Sequence, residues 1–430
     1  MTATPDAISA SASTGPFWLH VALDVPLDGV FDYQHHEPVL VGQRVIVHFG
    51  RRQMIGVVVA LPEQPSYPPE QVKAIDQLLD DLPPFPEDWL RMARFASTYY
   101  HRPLGEVMMP SLPGPLRKPS AYLGKRSAGG PVLRMAKRKE KKVEPVDSDV
   151  LPVLNAEQQA AVDGIVAAKP GSCLLLHGVT GSGKTEVYMR VLEQVLAAGR
   201  QVLFMVPEIN LTPQFEQVLR ARLARVLPGD VLAVLHSGLS EGERLRSWLR
   251  VNSGQARILL GTRLSIFTPM PELGLIIVDE EHDASYKQQD GLRYSARDLA
   301  VWRGYDLKVP VVLGSATPSL ESWNHARQGR YSLLSLPKRA REVSLPRVRL
   351  VDTRHLRLES GFSPQLLDAL EACLDRGEQS LVFLNRRGYA PVLNCTSCGW
   401  VSQCRRCTAY VVLHRAGARL SDGLSHDVGT

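Results

Sequence analysis

The sequence lacks the features that would direct a protein into or across a membrane. No run of about 18 consecutive apolar residues occurs, which is the length that a membrane-spanning helix requires. The N-terminal stretch, Met1 to Pro16, is small and polar and has neither the basic region nor the apolar region of a signal peptide. We therefore expect a cytoplasmic protein without membrane contact, whose residues 1–16 are disordered.

Cysteine is scarce and the excess of positive charge is small. Of six cysteines, Cys173 and Cys373 stand alone among apolar neighbours, which is typical of core positions. The other four are clustered, which favours metal binding over disulfide formation in a cytoplasmic protein. A net charge of +6 agrees with an anionic partner but is too weak to identify one.

A phosphate-binding loop is the most specific motif of the chain. Residues 178–185 fit the spacing G-x-x-x-x-G-K-[ST] and lie between an apolar strand at 172–177 and a helix from Glu186 to Ala198. Glycines let backbone N–H groups turn toward a polyphosphate, and the helix N-terminus adds its dipole. We expect the following residues to bind ATP, with Lys184 at the β and γ phosphates and the Thr185 hydroxyl on Mg²⁺: Gly178, Thr180, Gly181, Ser182, Gly183, Lys184 and Thr185. The alternative is a chance glycine-rich turn.

A pair of acids ends another apolar strand. Leu275 to Val278 runs directly into Asp279 and Glu280. Asp279 is expected to hold the water shell of Mg²⁺, and Glu280 to orient or deprotonate the attacking water. An ordinary acidic surface turn is the alternative, but both motifs lie in the same predicted sheet, which favours a shared site.

Two further strand ends carry polar side chains. Ser315 and Thr317 follow a buried strand, where their hydroxyl groups could bond to the acidic site and pass its state to another surface. The alternative for this stretch is a Ser/Thr turn that ends at Pro318. Arg263 also follows a strand and could contact a phosphate of either a nucleotide or a nucleic acid.

Periodicity predicts an α/β fold preceded by a small mainly-β domain. Short alternating segments at 20–25, 44–48 and 56–60, followed by a helix over 86–100, define an N-terminal domain at 17–112. Apolar strands that alternate with helices from Asn155 onward predict a parallel sheet covered on both faces by helices. These strands are expected at 172–177, 201–206, 231–235, 257–261, 274–278, 309–314 and 380–384.

A basic segment separates these two regions. Residues 113–142 hold ten Lys or Arg and one acid. We expect a flexible basic linker over 113–150 that either lies along a nucleic-acid backbone or acts only as a solvated tether.

Taken together, the motifs resemble those of the primosomal replication-restart family of superfamily 2 DNA helicases. The segments that carry the resemblance lie at 154–158, 178–188, 206–209, 236–239, 261–263, 279–283, 285–289, 314–318 and 384–388. The resemblance covers residues 17–112 and 151–413. It implies an ATP-dependent 3′-to-5′ DNA helicase that acts in primosome assembly at stalled forks. It also implies forked or single-stranded DNA, other primosome proteins and single-stranded DNA-binding protein as partners.

The same resemblance implies roles for residues of the motor. It places a RecA-like lobe at 151–337, assigns Gln158 to the adenine, and makes Ser315 and Thr317 the residues that couple hydrolysis to DNA.

A loop after the acidic motif resembles the family's aromatic-rich loop that senses single-stranded DNA. Within it the resemblance makes Tyr286 and Tyr294 candidates for base stacking, and Lys287 a DNA contact. The family usually has Trp where this chain has Leu292, so one stacking surface is expected to be missing.

In the N-terminal domain the resemblance implies a pocket for the 3′ end of a nascent strand. Phe31 would stack on the terminal base and Asp32 would accept a hydrogen bond from it. Gly50 would line the pocket, and Lys73 would lie near phosphate. An exposed Phe-Asp pair is otherwise usually structural.

The clustered cysteines, Cys395, Cys398, Cys404 and Cys407, have the spacing of two zinc half-sites. Spacing alone favours one tetrahedral site. The family pattern instead uses eight cysteines for two zinc ions, and the later pairs are absent here. Zn²⁺ binding by incomplete half-sites at 395–414 therefore stays open.

Two departures from the family pattern limit the functional expectation. A winged-helix domain is expected where this chain has only the basic segment 113–150. The second lobe starts at 338–394, and the tail at 415–430 no longer follows the family. The interlobe arginine motif is absent, and such an arginine contributes about 10³–10⁵ in rate in related phosphoryl-transfer enzymes. We expect a truncated helicase whose binding of ATP and DNA is more secure than its unwinding activity.

Two other classes of function remain as alternatives. The chain could be a non-catalytic remnant that binds ATP and fork DNA. It could also be a different superfamily 2 translocase that acts on RNA or in chromatin remodelling, although the loop at 285–289 and the N-terminal domain argue against this.

Overall fold

The computed structural model divides the chain into two units, Met1–Val343 and Ser344–Thr430. It describes residues 16–123, 130–136, 152–207, 213–224, 229–340, 347–359, 361–383, 398 and 400–404. Among these residues, no helix combines the length and the apolar character that crossing a membrane requires.

The N-terminal residues form a six-stranded sheet with the strand order β5-β2-β1-β4-β3-β6. Its strands are β1 (Phe17–Leu23), β2 (Phe31–His35), β3 (Arg44–Phe49), β4 (Arg52–Ala60), β5 (Lys73–Ala74) and β6 (Gln77–Leu79). The β3–β4 hairpin turns at Gly50, whose φ of 59° lies in the left-handed region that favours glycine. The predicted strands at 20–25, 44–48 and 56–60 are confirmed as β1, β3 and β4. The short strands β2, β5 and β6 were not predicted.

Helices connect this sheet to the rest of the first unit. They are α1 (Glu87–Tyr100), α2 (Leu104–Met108) and α3 (Gly130–Ala136). Helix α1 confirms the predicted helix and buries Trp89, whose indole Nε1 donates a hydrogen bond to the Phe267 carbonyl oxygen at 2.7 Å. Trp89 and Phe267 belong to one continuous hydrophobic cluster. The N-terminal domain and the following lobe therefore share a core.

The structure differs from the predicted linker over residues 113–123. Leu116 is fully buried, and the Arg44 guanidinium donates to its carbonyl oxygen at 3.1 Å. Lys118 forms an ion pair with Glu241 at 2.8 Å. This part of the segment is held in place by the buried Leu116 side chain, by the hydrogen bond from Arg44 and by the ion pair of Lys118 with Glu241. Its composition alone would have suggested a tether. Residues 137–150 lie outside the described residues.

The second region is an α/β lobe with a seven-stranded parallel sheet in the order β13-β7-β12-β11-β8-β10-β9. Its strands are β7 (Cys173–Gly178), β8 (Gln201–Met205), β9 (Leu232–Leu235), β10 (Ile258–Gly261), β11 (Leu273–Asp279), β12 (Val311–Ser315) and β13 (Ser332–Leu336). Its helices are α4 (Ala156–Val166), α5 (Lys184–Ala197), α6 (Pro213–Leu223), α7 (Glu241–Asn252), α8 (Ala296–Leu307) and α9 (Leu320–Arg327). Neighbouring residues of a strand, such as Leu174 and Leu175, join different hydrophobic clusters. Both faces of the sheet are thus buried, which explains the nearly continuous apolar runs.

Six of the seven predicted strands of this sheet are confirmed, and β13 was not predicted. The prediction of a strand at 380–384 is wrong for residues 380–383, which have no strand pairing; residue 384 lies outside the described residues. In the second unit, Leu381 and Phe383 are 96% and 81% exposed. An apolar run forms a strand only where a neighbouring strand accepts its backbone hydrogen bonds, and the described part of this unit offers none. Its helix α10 (Pro364–Asp375) begins after Ser363, whose hydroxyl accepts from the Leu366 N–H.

Candidate nucleotide site and DNA-binding surfaces

The loop between β7 and α5 has the geometry that its glycines predict. Gly181 and Gly183 have φ angles of 78° and 83°, where a side chain would be strained. A Cβ atom on Gly183 would also lie 2.3 Å from the Gln158 amide nitrogen. The loop ends at Lys184, the first residue of α5, so its backbone leads directly into a helix N-terminus. Thr180, Gly181 and Thr185 are exposed along this loop.

Gln158 supports this loop from the N-terminus of α4. Its side-chain oxygen accepts from the Asn155 N–H at 2.9 Å, and its amide nitrogen donates to the Ser182 carbonyl oxygen at 2.9 Å. The Asn155 side chain in turn accepts from the Gln158 N–H, which completes a capping box. Gln158 is only 4% exposed, and both the oxygen and the nitrogen of its side-chain amide form hydrogen bonds within the protein. The structure gives Gln158 a role in holding the loop, and its contact with adenine stays a prediction.

Lys184 connects the loop to the acidic strand end. Its Nζ donates to the Gly178 carbonyl oxygen at 3.2 Å and lies 3.6 Å from a carboxylate oxygen of Glu280. The Lys184 side chain is 11% exposed. The structure therefore brings the phosphate loop and the acidic pair into one site, as the sequence predicts.

Asp279 is held by two tyrosines that sequence reasoning left without this role. The Tyr188 hydroxyl donates to the Asp279 carboxylate at 2.9 Å, and the Tyr286 hydroxyl donates to the Asp279 carbonyl oxygen at 2.7 Å. Burial raises the pKa of Asp279 above its ordinary value, and the Tyr188 hydrogen bond opposes this rise. Burial and the nearby Asp279 raise the pKa of Tyr188 well above its ordinary value, so Tyr188 stays protonated and donates. Tyr188 follows Lys184 by four residues and so lies on the same face of α5. This spacing was the sequence signal that could have placed Tyr188 at the site.

The residues after Asp279 connect the site to β12. Glu280 has a φ of 45°, which is uncommon for a residue with a side chain. His282 Nδ1 lies 2.8 Å from the Ser315 hydroxyl and 3.7 Å from a Glu280 carboxylate oxygen. His282 Nε2 lies 3.4 Å from the Thr317 hydroxyl. Ser315 and Thr317 thus reach the acidic site through His282, to which the sequence analysis gave no role.

The residues of this site fit Mg²⁺–ATP. The Ser182 hydroxyl is buried and has no hydrogen-bond partner within the described part of the chain, so it can serve a phosphate oxygen. Lys184 supplies a positive charge, and Asp279 and Thr185 supply the oxygen donors that Mg²⁺ prefers. These are the residues that would hold the nucleotide and the metal ion.

The two tyrosines predicted to stack on DNA bases are buried in the structure. Tyr286 and Tyr294 are 3% and 4% exposed. The Tyr286 hydroxyl is used by Asp279, and the Tyr294 ring lies edge to face against Phe267 at 5.0 Å. Burying a large ring stabilises the fold more than exposing it, and the hydroxyl groups find partners inside. The prediction that these rings offer a stacking surface is therefore wrong for this conformation.

The basic residues of this region lie close to the loop backbone. Lys287 donates to the Arg293 carbonyl oxygen at 2.6 Å, and Arg263 donates to the Ser285 carbonyl oxygen at 2.8 Å. Both cations donate to backbone carbonyl groups of the loop. The contact of Lys287 with DNA and that of Arg263 with a phosphate of a nucleotide or nucleic acid stay predictions. A neighbouring cavity of about 650 Å³ is lined by four arginines and three acids, namely Arg102, Arg117, Arg244, Arg263, Asp24, Glu106 and Asp290.

The predicted 3′-end pocket is only partly assembled. The Phe31 ring lies 4.8 Å from the Phe49 ring, next to the Gly50 turn, and Lys73 is exposed where β5 pairs with β2. Side chains alternate along a strand, so Phe31 and Asp32 lie on opposite faces of β2.

Asp32 itself is largely enclosed. Its carboxylate accepts from the Ser66 N–H at 2.6 Å and lies 3.1 Å from His20 Nε2, and its side chain is 5% exposed. Recognition of a strand end by Asp32 stays a prediction.

The zinc prediction falls largely outside the described residues. Cys395 and Cys407 are not among them, whereas Cys398 and Cys404 are. The described residues contain no cluster of three or more His, Cys, Asp or Glu that could hold a metal ion. Zinc binding stays a prediction for the complete set of four cysteines.

Comparison with known families matches both regions of the first unit. Residues 20–113 match the model of the PriA 3′DNA-binding domain, and residues 155–325 match the model of the DEAD/DEAH box helicase domain. With the parallel sheet, the phosphate loop and the acidic strand end, these matches define the second region as a RecA-like helicase lobe.

Several curated proteins named PriA are similar to this chain. The Replication restart protein PriA of Haemophilus influenzae is 37% identical over 92% of this chain and 62% of that protein. The PriA proteins of Treponema pallidum and Bacillus subtilis are 37% and 44% identical, over 93% and 65% of this chain and over 59% and 34% of their own lengths. Over the part that it spans, the chain is similar to the PriA proteins. It spans about three fifths of the length of the first of these relatives.

Proposed function

We propose that this chain acts as an ATP-dependent 3′-to-5′ DNA helicase of replication restart. The observation that carries the proposal is the joint site of Lys184, Asp279 and Glu280, in a helicase lobe that shares a core with a 3′DNA-binding domain. Forked or single-stranded DNA is the proposed substrate. Other primosome proteins and single-stranded DNA-binding protein are the proposed partners, and the cytoplasm is the proposed location.

The residues of the site suggest how each contributes. Bound Mg²⁺–ATP supplies the γ-phosphoryl group that hydrolysis transfers to water. Lys184 Nζ, which now faces Gly178 and Glu280, provides a positive charge for the phosphate oxygens. Tyr188 fixes the orientation of the Asp279 carboxylate, and Glu280 accepts the proton of the attacking water.

ATP turnover with and without forked DNA tests this proposal. We expect forked DNA to raise turnover of the unchanged chain well above that of Lys184→Ala. Lys308→Ala is a matched control, because Lys308 packs over the Tyr305 ring rather than in the nucleotide site. This control should turn over ATP like the unchanged chain. Substrates with either a 3′ or a 5′ single-stranded tail then test the direction.

The opposite result would also be informative. Turnover no higher than that of Lys184→Ala, with nucleotide binding intact, would rule out a motor function for this chain. The chain would then be a protein that binds ATP and fork DNA without catalysis.

A further inference from the structure

A short segment after β13 lies along the phosphate loop. This segment, residues 337–340, is called the strap. Two backbone hydrogen bonds join this part of the chain to the loop: the Val179 N–H donates to the Leu336 carbonyl oxygen at 3.2 Å, and the Ala340 N–H donates to the Gly181 carbonyl oxygen at 2.8 Å. Because one bond lies at each end of the strap, its middle residues are fixed beside the loop.

The strap comes closest to the loop where the loop leads into α5. A Cβ atom on Gly183 would lie 3.5 Å from the Ala340 Cβ atom, which is ordinary van der Waals contact. Gly183 is the N-cap residue of α5. The backbone N–H groups at this end of a helix, together with its dipole, favour phosphate oxygens. The strap therefore borders the part of the loop at which the phosphates of a nucleotide would bind.

An arginine in the middle of the strap has no acidic partner. Arg339 is partly buried and forms no side-chain hydrogen bond or ion pair with any other residue that the structure describes. Its neighbour Lys338 forms an ion pair with Glu157 at 2.9 Å, and Arg190 of α5 forms one with Glu186 at 2.9 Å. Removing a cation from water without a partner is unfavourable. Of these three cations, Arg339 is the one whose charge stays available to a ligand.

The charges of the nucleotide site favour a second cation near the phosphates. Lys184 lies 3.6 Å from a Glu280 carboxylate oxygen, and the Asp279 carboxylate is close enough for its pKa to respond to both. One lysine thus faces two acids, and a bound triphosphate would add further negative charge. A positive charge at the loop would reduce this repulsion.

We propose that Arg339 is a further nucleotide-binding residue, which the strap holds beside the phosphate loop so that its guanidinium binds phosphate oxygens of Mg²⁺–ATP. The inference deepens the proposed function and rests on its nucleotide site. A planar guanidinium offers several N–H donors in an arrangement that suits phosphate oxygens. Arg339 contributes affinity by this contact and takes no part in proton transfer.

Calorimetric titration with Mg²⁺ and a non-hydrolysable ATP analogue tests this binding role without turnover. Arg339→Gln should weaken binding about tenfold, the size expected for loss of a hydrogen bond to a charged group. Arg339→Lys should keep part of the affinity because it keeps the charge. Lys338→Gln is the matched control, since Lys338 is the next residue of the chain, is 74% exposed and already has Glu157 as its partner. This control should bind within about twofold of the unchanged chain, because an exposed ion pair contributes little.

Turnover provides a second readout. In Arg339→Gln, KM for ATP should rise about tenfold while kcat with forked DNA stays close to that of the unchanged chain, as for a contact that is equally strong before and during the reaction. A residue that only supports the fold would instead lower the urea concentration at which the chain unfolds. Arg339→Gln should leave that concentration unchanged, because Arg339 has no partner to lose within the described part of the chain.

The outcomes separate the inference from the proposed function. If Arg339→Gln binds the analogue like the unchanged chain, or if Arg339→Lys binds as weakly as Arg339→Gln, the inference is overturned. Equal losses in Arg339→Gln and Lys338→Gln would also overturn it, since they would reflect the general surface charge. If DNA never stimulates turnover but Arg339→Gln alone weakens binding, the proposed helicase function fails and the role of Arg339 stands.

Discussion

At the scale of single residues, the structure adds hydrogen-bond partners to motifs that the sequence already shows. The loop Gly178 to Thr185 and the pair Asp279 and Glu280 could be predicted because local spacing specifies them. The role of His282 could not be assigned, since it depends on which strands are neighbours. Tyr188 was missed although its spacing of four residues from Lys184 puts both on one face of α5. For Tyr286 and Tyr294 the sequence predicted an exposed stacking surface, and the structure buries both rings. An aromatic side chain in a loop is equally compatible with a stacking surface and with a buried core position.

The Tyr188 hydroxyl offers a prediction at this scale. Tyr188→Phe keeps the aromatic ring and removes only the hydroxyl group. That hydroxyl donates a hydrogen bond to the Asp279 carboxylate at 2.9 Å. A hydrogen bond to a charged group contributes about 1.5 kcal/mol or more, so the Mg²⁺ concentration for half-maximal turnover should rise roughly tenfold. A Mg²⁺ titration of ATP turnover measures this. Tyr33→Phe, which loses a hydrogen bond to the His48 carbonyl oxygen in the N-terminal domain, is the control and should leave the titration unchanged.

At the scale of elements, the sequence predicted the buried parallel strands well. It missed the edge strand β13 and predicted a strand at 380–383 that the structure does not have. Long apolar runs such as β8 and β11 are recognisable because both of their faces are buried. Strand β13 was missed because its residues are mostly exposed or half-buried, as expected for an edge strand. The run at 380–383 shows that apolar composition alone does not make a strand. Edges and pairing partners are properties of the folded chain rather than of a local pattern.

The close approach of two elements gives a prediction at this scale. A Cβ atom on Gly314 of β12 would lie 1.7 Å from the Tyr188 hydroxyl of α5. Gly314→Ala should therefore lower the free energy of unfolding by about 1–3 kcal/mol through overpacking. Urea denaturation measures the change.

A matched control for this substitution lies in α4. A Cβ atom on Gly164 would approach only the flexible end of Leu334, at 3.0 Å. Alanine is favoured over glycine in a helix by about 1 kcal/mol, which offsets a small steric cost. Gly164→Ala should thus unfold close to the original urea concentration, and equal losses in both variants would contradict the packing argument.

At the scale of the whole first unit, the DNA-binding domain and the helicase lobe share one core. Trp89 of α1 is 2% exposed, lies 4.5 Å from Phe85 ring to ring, and bonds to Phe267 in the lobe. The ion pair of Arg91 and Asp306 spans the same boundary at 2.8 Å. The sequence did not predict this union, because its composition suggested separate domains joined by a linker. A shared core implies that the two regions lose their structure together.

Substitution of Trp89 tests whether the two regions unfold as one. Trp89→Ala should lower the free energy of unfolding by about 3–5 kcal/mol, since a buried Trp leaves a large cavity. Hydrogen exchange should then increase in β4 of the DNA-binding domain and in β8 of the lobe by the same factor, because both report one global opening. Arg91→Ala is the control on the same helix. Its ion pair is partly exposed, so the loss should stay below about 1 kcal/mol. Faster exchange in β4 alone would show instead that the DNA-binding domain opens independently and that the lobe is stable without it.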